Sequence, residues 1–316
     1  MPYHNGRRAV GMGVGPIHLL GGGELSQRLA GLGVHAEGEE IDPVDEGLPE
    51  MTRVIELDRR LARSVRAAAK ADRFPLVLAG NCNSCLGTVA GVGAERLGVI
   101  WFDSHADFDT ADDNESGFFD AMGLSILTGS SFQPLAGTIP EFQPIIEQRV
   151  LLVGVRDLEQ YQERRLLGSH VNTVFGTELR TAGALTALEP AFDRLRSRTS
   201  AVYLHVDLDS LDTSEGTANE YAAPGGLTVA ELESAIELVF QRFTVAAAAV
   251  TAYDPDHDPD ARILAAGRRV VARSPAHPGA TSSRRPIGAI RGETRAAWPR
   301  CSRTARSPAG GAGCRS

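Results

Sequence analysis

Asp103-x-His105-x-Asp107 sets two carboxylates and an imidazole at alternate positions, directly after the apolar run Val99-Ile100-Trp101-Phe102. Alternating side chains can converge once a chain leaves a sheet, and this donor set suits an ion such as Mn²⁺, Fe²⁺ or Zn²⁺. Taken alone, the motif also fits a solvated acidic turn. Asp207-x-Asp209 follows the run Val202-Tyr203-Leu204-His205-Val206 in the same way, with Asp212 close by. Carboxylates at a strand end are unfavourable unless something neutralises them. A metal would do so, although a helix cap or a solvated loop is the plainer reading of that pair by itself. Together the two motifs supply more ligands than one tetrahedral ion takes. They predict two ions about 3.5–4 Å apart, bridged by shared carboxylates, with a hydroxide between them as nucleophile.

Five short apolar runs each precede a polar cluster: Pro75–Ala79, Val99–Phe102, Val150–Val155, Val202–Val206 and Val245–Val250. Continuous apolar runs of this length predict strands buried on both faces, as in a parallel sheet. Helical periodicity lies between them. Thr52 to Ala71 carries Ile55, Leu61 and Val65 on one side, and Leu227 to Phe243 opens with Thr228 and Glu231 at capping-box spacing. Strand–helix alternation predicts a doubly wound α/β sheet, whose ligands sit beyond the carboxyl ends of the strands. Every polar cluster above falls at that end. Ser130 to Gln148 reads as a surface connection and Asp212 to Gly226 as a loop.

The chain has 316 residues, 42% of them apolar, enough for one large α/β domain. No run of about 18 apolar residues predicts a membrane span. The first residues lack a charged-then-apolar leader pattern, and four cysteines make no disulfide framework, so a reduced, cytoplasmic setting is expected. Net charge is −8, yet eleven arginines and only one acidic residue, Glu293, lie from Arg268 onward. The preceding body is therefore strongly acidic, unsuited to a phosphate backbone and suited to cations; no nucleic-acid partner is expected. The segment 271–316 is Arg-, Ser-, Pro- and Gly-rich and reads as a disordered extension or a reading-frame artefact.

The sequence resembles the arginase, agmatinase and formiminoglutamase superfamily of ureohydrolases. The resemblance rests on Gly80–Ser84, Trp101–Asp107, Ser116-Gly117, Gly154-Val-Arg-Asp157, His205–Asp212, Pro224–Thr228 and Tyr253-Asp-Pro255, in family order over roughly residues 10 to 270. It implies a three-layer α/β/α sandwich, arginase-like, with a mostly parallel doubly wound sheet in residues 1–270. It also implies two divalent ions, usually manganese with Fe²⁺ or Zn²⁺ as alternatives, and a homo-oligomer, trimer or hexamer. Asp103 and Asp207 would bridge the ions, His105 and Asp209 would complete one shell, and Asp107 would bind the other ion. The implied reaction is hydrolysis of a linear C–N bond in an amidine or guanidino compound, with Asp209 orienting or deprotonating the nucleophile. Ser116 and Asp157 match the positions that hold the amino-acid end of the substrate.

The departures are equally specific. The family's Gly-Gly-Asp-His-Ser is Gly-Asn-Cys-Asn-Ser here, so Asn83 stands where a histidine ligand is expected. An amide oxygen is a weaker, uncharged ligand. Cys82 and Cys85 read first as small buried packing, with thiolate ligation favouring softer ions as the alternative. Met122 occupies the proton-shuttle position, leaving Asp120 or solvent to move the proton. Ala252 occupies the position of the acid that pairs with a guanidinium, and Asp254 is a candidate replacement. His205 reads as a satisfied core histidine, or else as a partner of a ligand. The competing readings are a non-catalytic binding or regulatory relative, and a hydrolase of a non-guanidino or N-hydroxyguanidino substrate.

Overall fold

The computed structural model describes residues 1–93 and 95–276, with side chains as far as Arg273. A short antiparallel hairpin pairs β1 (Tyr3–His4) with β2 (Arg7–Arg8). The main sheet holds six strands: β3 (Leu76–Leu78), β4 (Leu97–Phe102), β5 (Val150–Val153), β6 (Asn172–Val174), β7 (Ala201–Asp207) and β8 (Val245–Thr251). Their order is β3-β8-β7-β4-β5-β6, every pairing parallel. From β4 the chain winds outward through β5 to β6; from β7 it winds the other way to β8. The reversal point of this doubly wound sheet therefore lies between β4 and β7.

Side chains alternate between two cores because strand residues point alternately to opposite faces. Val99, Trp101, Leu152, Tyr203 and Ala249 face one side, under helices Glu50–Lys70 and Cys85–Val92. Ile100, Phe102, Leu151, Leu204 and Val250 face the other, under helices Ala184–Arg196, Val229–Arg242 and Arg262–Ala276. The result is an α/β/α sandwich. Helix Glu50–Lys70 buries Val54, Ile55, Leu57, Leu61, Ala62 and Val65, a stripe at steps of three and four, with Glu50 in its first turn and Lys70 in its last to suit the helix dipole. Gly87 lets the next helix come close: a Cβ there would sit 2.6 Å from the Asp58 carbonyl oxygen. Thr228 caps helix Val229–Arg242 through the expected reciprocal box with Glu231.

Four differences from the sequence reading have physical causes. Strand β6 was not expected, because Asn172 and Thr173 are only half buried at a sheet edge and do not form an apolar run. The β1–β2 hairpin, only two residues per strand, carries no periodicity to read. The Ser130–Gln148 stretch is more than a surface connection: it contains helix Gln133–Ala136 and seals the core with Ile139 and Ile145. Helix Arg262–Ala276 also runs past the compositional boundary at residue 270. Ile263, Ala266, Val270 and Val271 are buried, while Arg269 makes a bidentate pair with Glu233 at 2.7 Å on the other face. The expectation for the tail beyond this helix lies outside the described residues. Among the described residues, no helix is long and apolar enough to cross a membrane.

Candidate metal centre

The sheet register itself brings the two acidic motifs together. Trp101 pairs with His205 and Phe102 with Val206, so Asp103 and Asp207 leave adjacent strands side by side at the reversal point. The Trp101 ring stacks on His205 at 3.6 Å between centroids, and its Nε1 donates to Asp103 Oδ2 at 2.8 Å. His205 is fully buried, and burial lowers its pKa to about 3, so it is neutral. Its Nδ1 lies 2.8 Å from Tyr203 Oη and its Nε2 lies 3.2 Å from Thr251 Oγ1. Thr251 Oγ1 is in turn 3.4 Å from Asp207 Oδ2. His205 is thus a satisfied core histidine that reaches Asp207 only through Thr251.

His105 and Asp209 form one half of the centre. His105 Nδ1 is 3.3 Å from both Asp103 Oδ1 and Asp209 Oδ2. The Ser104 backbone N and Oγ both donate to Asp209 Oδ1, at 3.1 and 2.9 Å. Asn219 Nδ2 approaches Asp209 Oδ2 at 3.4 Å and donates to the Ala252 carbonyl at 2.8 Å. Arg156 fastens the loops around this half through the carbonyls of Gly154, Asp209, Leu211, Ala223 and Pro224.

Cys82 and Asp207 form the other half, and a short turn after β3 presents the cysteine. Gly80 allows that turn to lie against the N-terminal hairpin, since a Cβ there would collide with the Tyr3 carbonyl oxygen. Asp120 organises the turn: its carboxylate accepts from Asn81 Nδ2 (2.7 Å), Cys82 N (3.0 Å) and Asn83 N (2.7 Å). Cys82 Sγ lies 3.0 Å from Asp207 Oδ2 and 3.2 Å from Thr251 Oγ1. Asn83 is 3% exposed, and its side-chain Nδ2 has no hydrogen-bond partner.

Among the described residues, two groups of ligand-type atoms converge within 4.8 Å: Cys82, Asp103 and Asp207, and Asp103, His105 and Asp209. Asp103 is common to both. Asp107, which sequence spacing grouped with Asp103 and His105, belongs to neither. Its backbone takes a left-handed φ of 47°, and its carbonyl accepts from Leu124 and Ser125 N. Burial, and then neighbouring carboxylates, push the Asp103, Asp107 and Asp207 carboxyls above the ordinary range. For Asp209 burial acts the same way, but His105 and Ser104 overcome it and hold the carboxyl well below that range. For His105, burial opposes the charge, and Asp209, Asp103 and Asp157 outweigh it and raise the imidazole pKa well above normal. Buried acids that repel one another, beside an unpartnered amide that presents an oxygen if turned about χ2, are what a cationic occupant would relieve. The residues fit two divalent ions.

The other predicted residues spread around this centre. Asp120 is 4% exposed and is occupied by the turn it caps; burial, offset in part by those three donors, raises its pKa to about 6. Met122 is buried in the core. Asp157 is 59% exposed, with Oδ2 3.6 Å from His105 Nε2. Ser116 is exposed, and its hydroxyl donates to Asn114 Oδ1 at 3.0 Å. Asp254 caps the turn at Pro255–His257 by accepting from Asp256 N at 3.0 Å, and lies near His4. Ala252 is buried with φ at 61° and puts no acid at its position.

Sequence reasoning missed an aromatic wall. Tyr221 meets His105 edge-on at 6.3 Å and stacks with Phe118 at 5.6 Å, and Phe118 meets the His4 ring at 6.0 Å. Three distant segments contribute, so no local spacing signals it. Asn219 was missed too, and Arg156, singled out with Asp157 after the third apolar run, was given no role; its bonds to loop carbonyls are visible only in the fold.

Comparison with known proteins adds independent findings. The sequence model of the Arginase family matches residues 1–274. The chain is 30% identical over 266 residues to an arginase of Bacillus caldovelox, covering 79% of this chain and 86% of that protein. It is 28% identical over 273 residues to an arginase of Staphylococcus aureus, covering 82% and 90%. The crystal structure of arginase from Bacillus subtilis superposes with a TM-score of 0.79 at 25% identity, covering 86% of this chain and 95% of that one. Formimidoylglutamase from the same species shares the fold, with a TM-score of 0.66 at 20% identity, over 86% and 84%.

Proposed function

Because the chain belongs to the arginase family, we propose that it hydrolyses a linear C–N bond of a small amidine or guanidino compound at a pair of divalent ions. The observation that carries this reading is the sharing of Asp103 between two convergent ligand groups at the reversal point of the sheet. Asp103, His105 and Asp209 would hold one ion. Cys82, Asp103 and Asp207 would hold the other, with Asp107 and Asn83 beside them. Imidazole with carboxylates suits Mn²⁺, Fe²⁺ or Zn²⁺ on the His105 side. When bound, such ions supply the positive charge that lets water act as a nucleophile near neutral pH.

The chain's own groups have distinct tasks. Asp209 stays ionised, anchored by both Ser104 donors, and orients water as an acceptor; a carboxylate held so far below its usual range is a poor store for a proton. Trp101 and the His105 backbone N fix both oxygens of Asp103. Asp120 holds the Cys82–Asn83 turn in place, and solvent rather than Asp120 protonates the leaving amine. Asp157, exposed beside His105, and the exposed Ser116 are assigned to the ammonium and carboxylate of an amino-acid end. Tyr221 and Phe118 offer ring faces to a cation. Asp254 supplies the negative charge that Ala252 does not.

A second reading follows from Ala252 and Met122: the same centre acting on an amide or amidine without a guanidinium. Purified protein should be loaded with Mn²⁺, then Zn²⁺, and incubated with arginine, agmatine, their N-hydroxy forms and formimino compounds, reading urea and amine release. Turnover of a guanidino compound supports the first reading. Turnover only of a non-guanidino compound moves the assignment to the second. Fewer than one ion per chain with no turnover would sink both.

A further inference from the structure

Resting on the two-ion reading above, we infer that Cys82 is a thiolate ligand of the Asp207-side ion, making that half of the centre selective for a thiophilic divalent ion such as Zn²⁺ or Fe²⁺. Three observations converge. Cys82 Sγ, Asp103 and Asp207 present ligand atoms within 4.8 Å of one another. The sulfur points at a carboxylate, Asp207 Oδ2, at 3.0 Å. Asn83 adds an unpartnered, 3% exposed amide next in sequence.

Cys85 provides the internal contrast. It is fully buried, and its Sγ donates to the Gly123 carbonyl at 3.7 Å. Cys85 is a packing residue; Cys82 is placed as a ligand. An S–H group is a weak hydrogen-bond donor and does little for a buried carboxylate, whereas a thiolate and a carboxylate together suit a soft or borderline dication. On binding, the S–H bond breaks, the proton passes to solvent and the sulfur–metal bond forms.

The test is spectroscopic. Metal-free protein carrying Cys301→Ser and Cys314→Ser is titrated with Co²⁺, and the sulfur-to-cobalt charge-transfer band in the near ultraviolet is recorded. The band should appear with the parent, persist in Cys85→Ser, and vanish in Cys82→Ser and Cys82→Asp while these still bind cobalt. Cys82→Asp should also lower the Zn²⁺-to-Mn²⁺ affinity ratio on the order of tenfold or more. Cobalt bound without a sulfur band, or a band that survives Cys82→Ser, would overturn the Cys82 assignment and leave the metal centre intact. No stoichiometric cobalt in the parent would overturn the two-ion reading and the Cys82 assignment with it.

Discussion

The two halves of the centre share Asp103, yet they are built from different materials. The half containing His105 and Asp209 has an imidazole that is 27% exposed on the side chain, and its carboxylate accepts from two Ser104 donors. The half containing Cys82 and Asp207 is sealed: both residues are 3% exposed, and Asp207 accepts from the Asp209 backbone N at 2.8 Å and otherwise meets a thiol and a threonine hydroxyl. A ligand that reaches solvent, as the His105 imidazole alone does in that half, lets an ion exchange with water more readily; Asp209 beside it is as buried as Cys82 and Asp207. Buried ligands that repel one another depend on the ion for neutralisation. The comparison teaches that the two ligand positions at which the sequence departs from the resemblance, Cys82 and Asn83, stand on or beside the sealed half, while the Asp-x-His-x-Asp and Asp-x-Asp spacings supply the rest.

The largest effect should come from the shared residue. Asp103→Ala should remove both ions and lower kcat/KM by at least about 10³-fold, the loss of several kcal/mol of charge stabilisation. Metal analysis should fall from two ions per chain to fewer than one. A variant that kept two ions would break the idea of a shared ligand. Ser104→Ala removes the hydroxyl that orients Asp209, so it should weaken one ion about 10- to 100-fold and leave the sulfur band of the other half in place. Equal weakening of both ions would mean the halves are not separable. Asn83→His, which restores the ligand type expected at that position, should tighten the sealed half on the order of tenfold in metal competition.

Asp58 should have the smallest effect on activity and tests burial without an ion. It lies on helix Glu50–Lys70, fully buried, with Oδ1 accepting from Gly87 N at 3.2 Å and Oδ2 unpartnered. Burial raises its pKa well above the ordinary value. A folded state that holds the proton more tightly than the unfolded chain loses stability as pH rises from the ordinary carboxylate range to the raised value. Asp58→Asn should therefore be more stable than the parent at pH 8 by about 1–2 kcal/mol and show less pH dependence in thermal denaturation, with turnover unchanged. Equal stability at pH 8 would show that the charge is already relieved locally.

Much of this was legible in the chain. The five apolar runs became strands because both faces of a parallel sheet are covered, which turns burial into unbroken hydrophobic sequence. The Thr228–Glu231 box and the stripe of helix Glu50–Lys70 were equally plain, since capping and amphipathic periodicity are local. Asp103, His105, Asp207 and Asp209 announced themselves by lying directly after strands. Edge strand β6 stayed hidden because half-exposed residues carry no such signal, and the true end of helix Arg262–Ala276 was obscured by arginines that pair with Glu233.

Sequence alone determined which residue types stand at the strand ends, because strand period and apolar runs are properties of neighbours in the chain. Only the tertiary structure decided which of them meet. Register between β4 and β7 set Asp103 beside Asp207. The pairing of β3 with β8, and of β8 with β7, carried Cys82 across 125 positions of chain to Asp207, and loop packing left Asp107 outside the convergent groups and committed the Asp120 carboxylate to the Cys82–Asn83 turn. Those contacts join residues far apart in sequence, and their formation depends on long-range packing that no local pattern encodes.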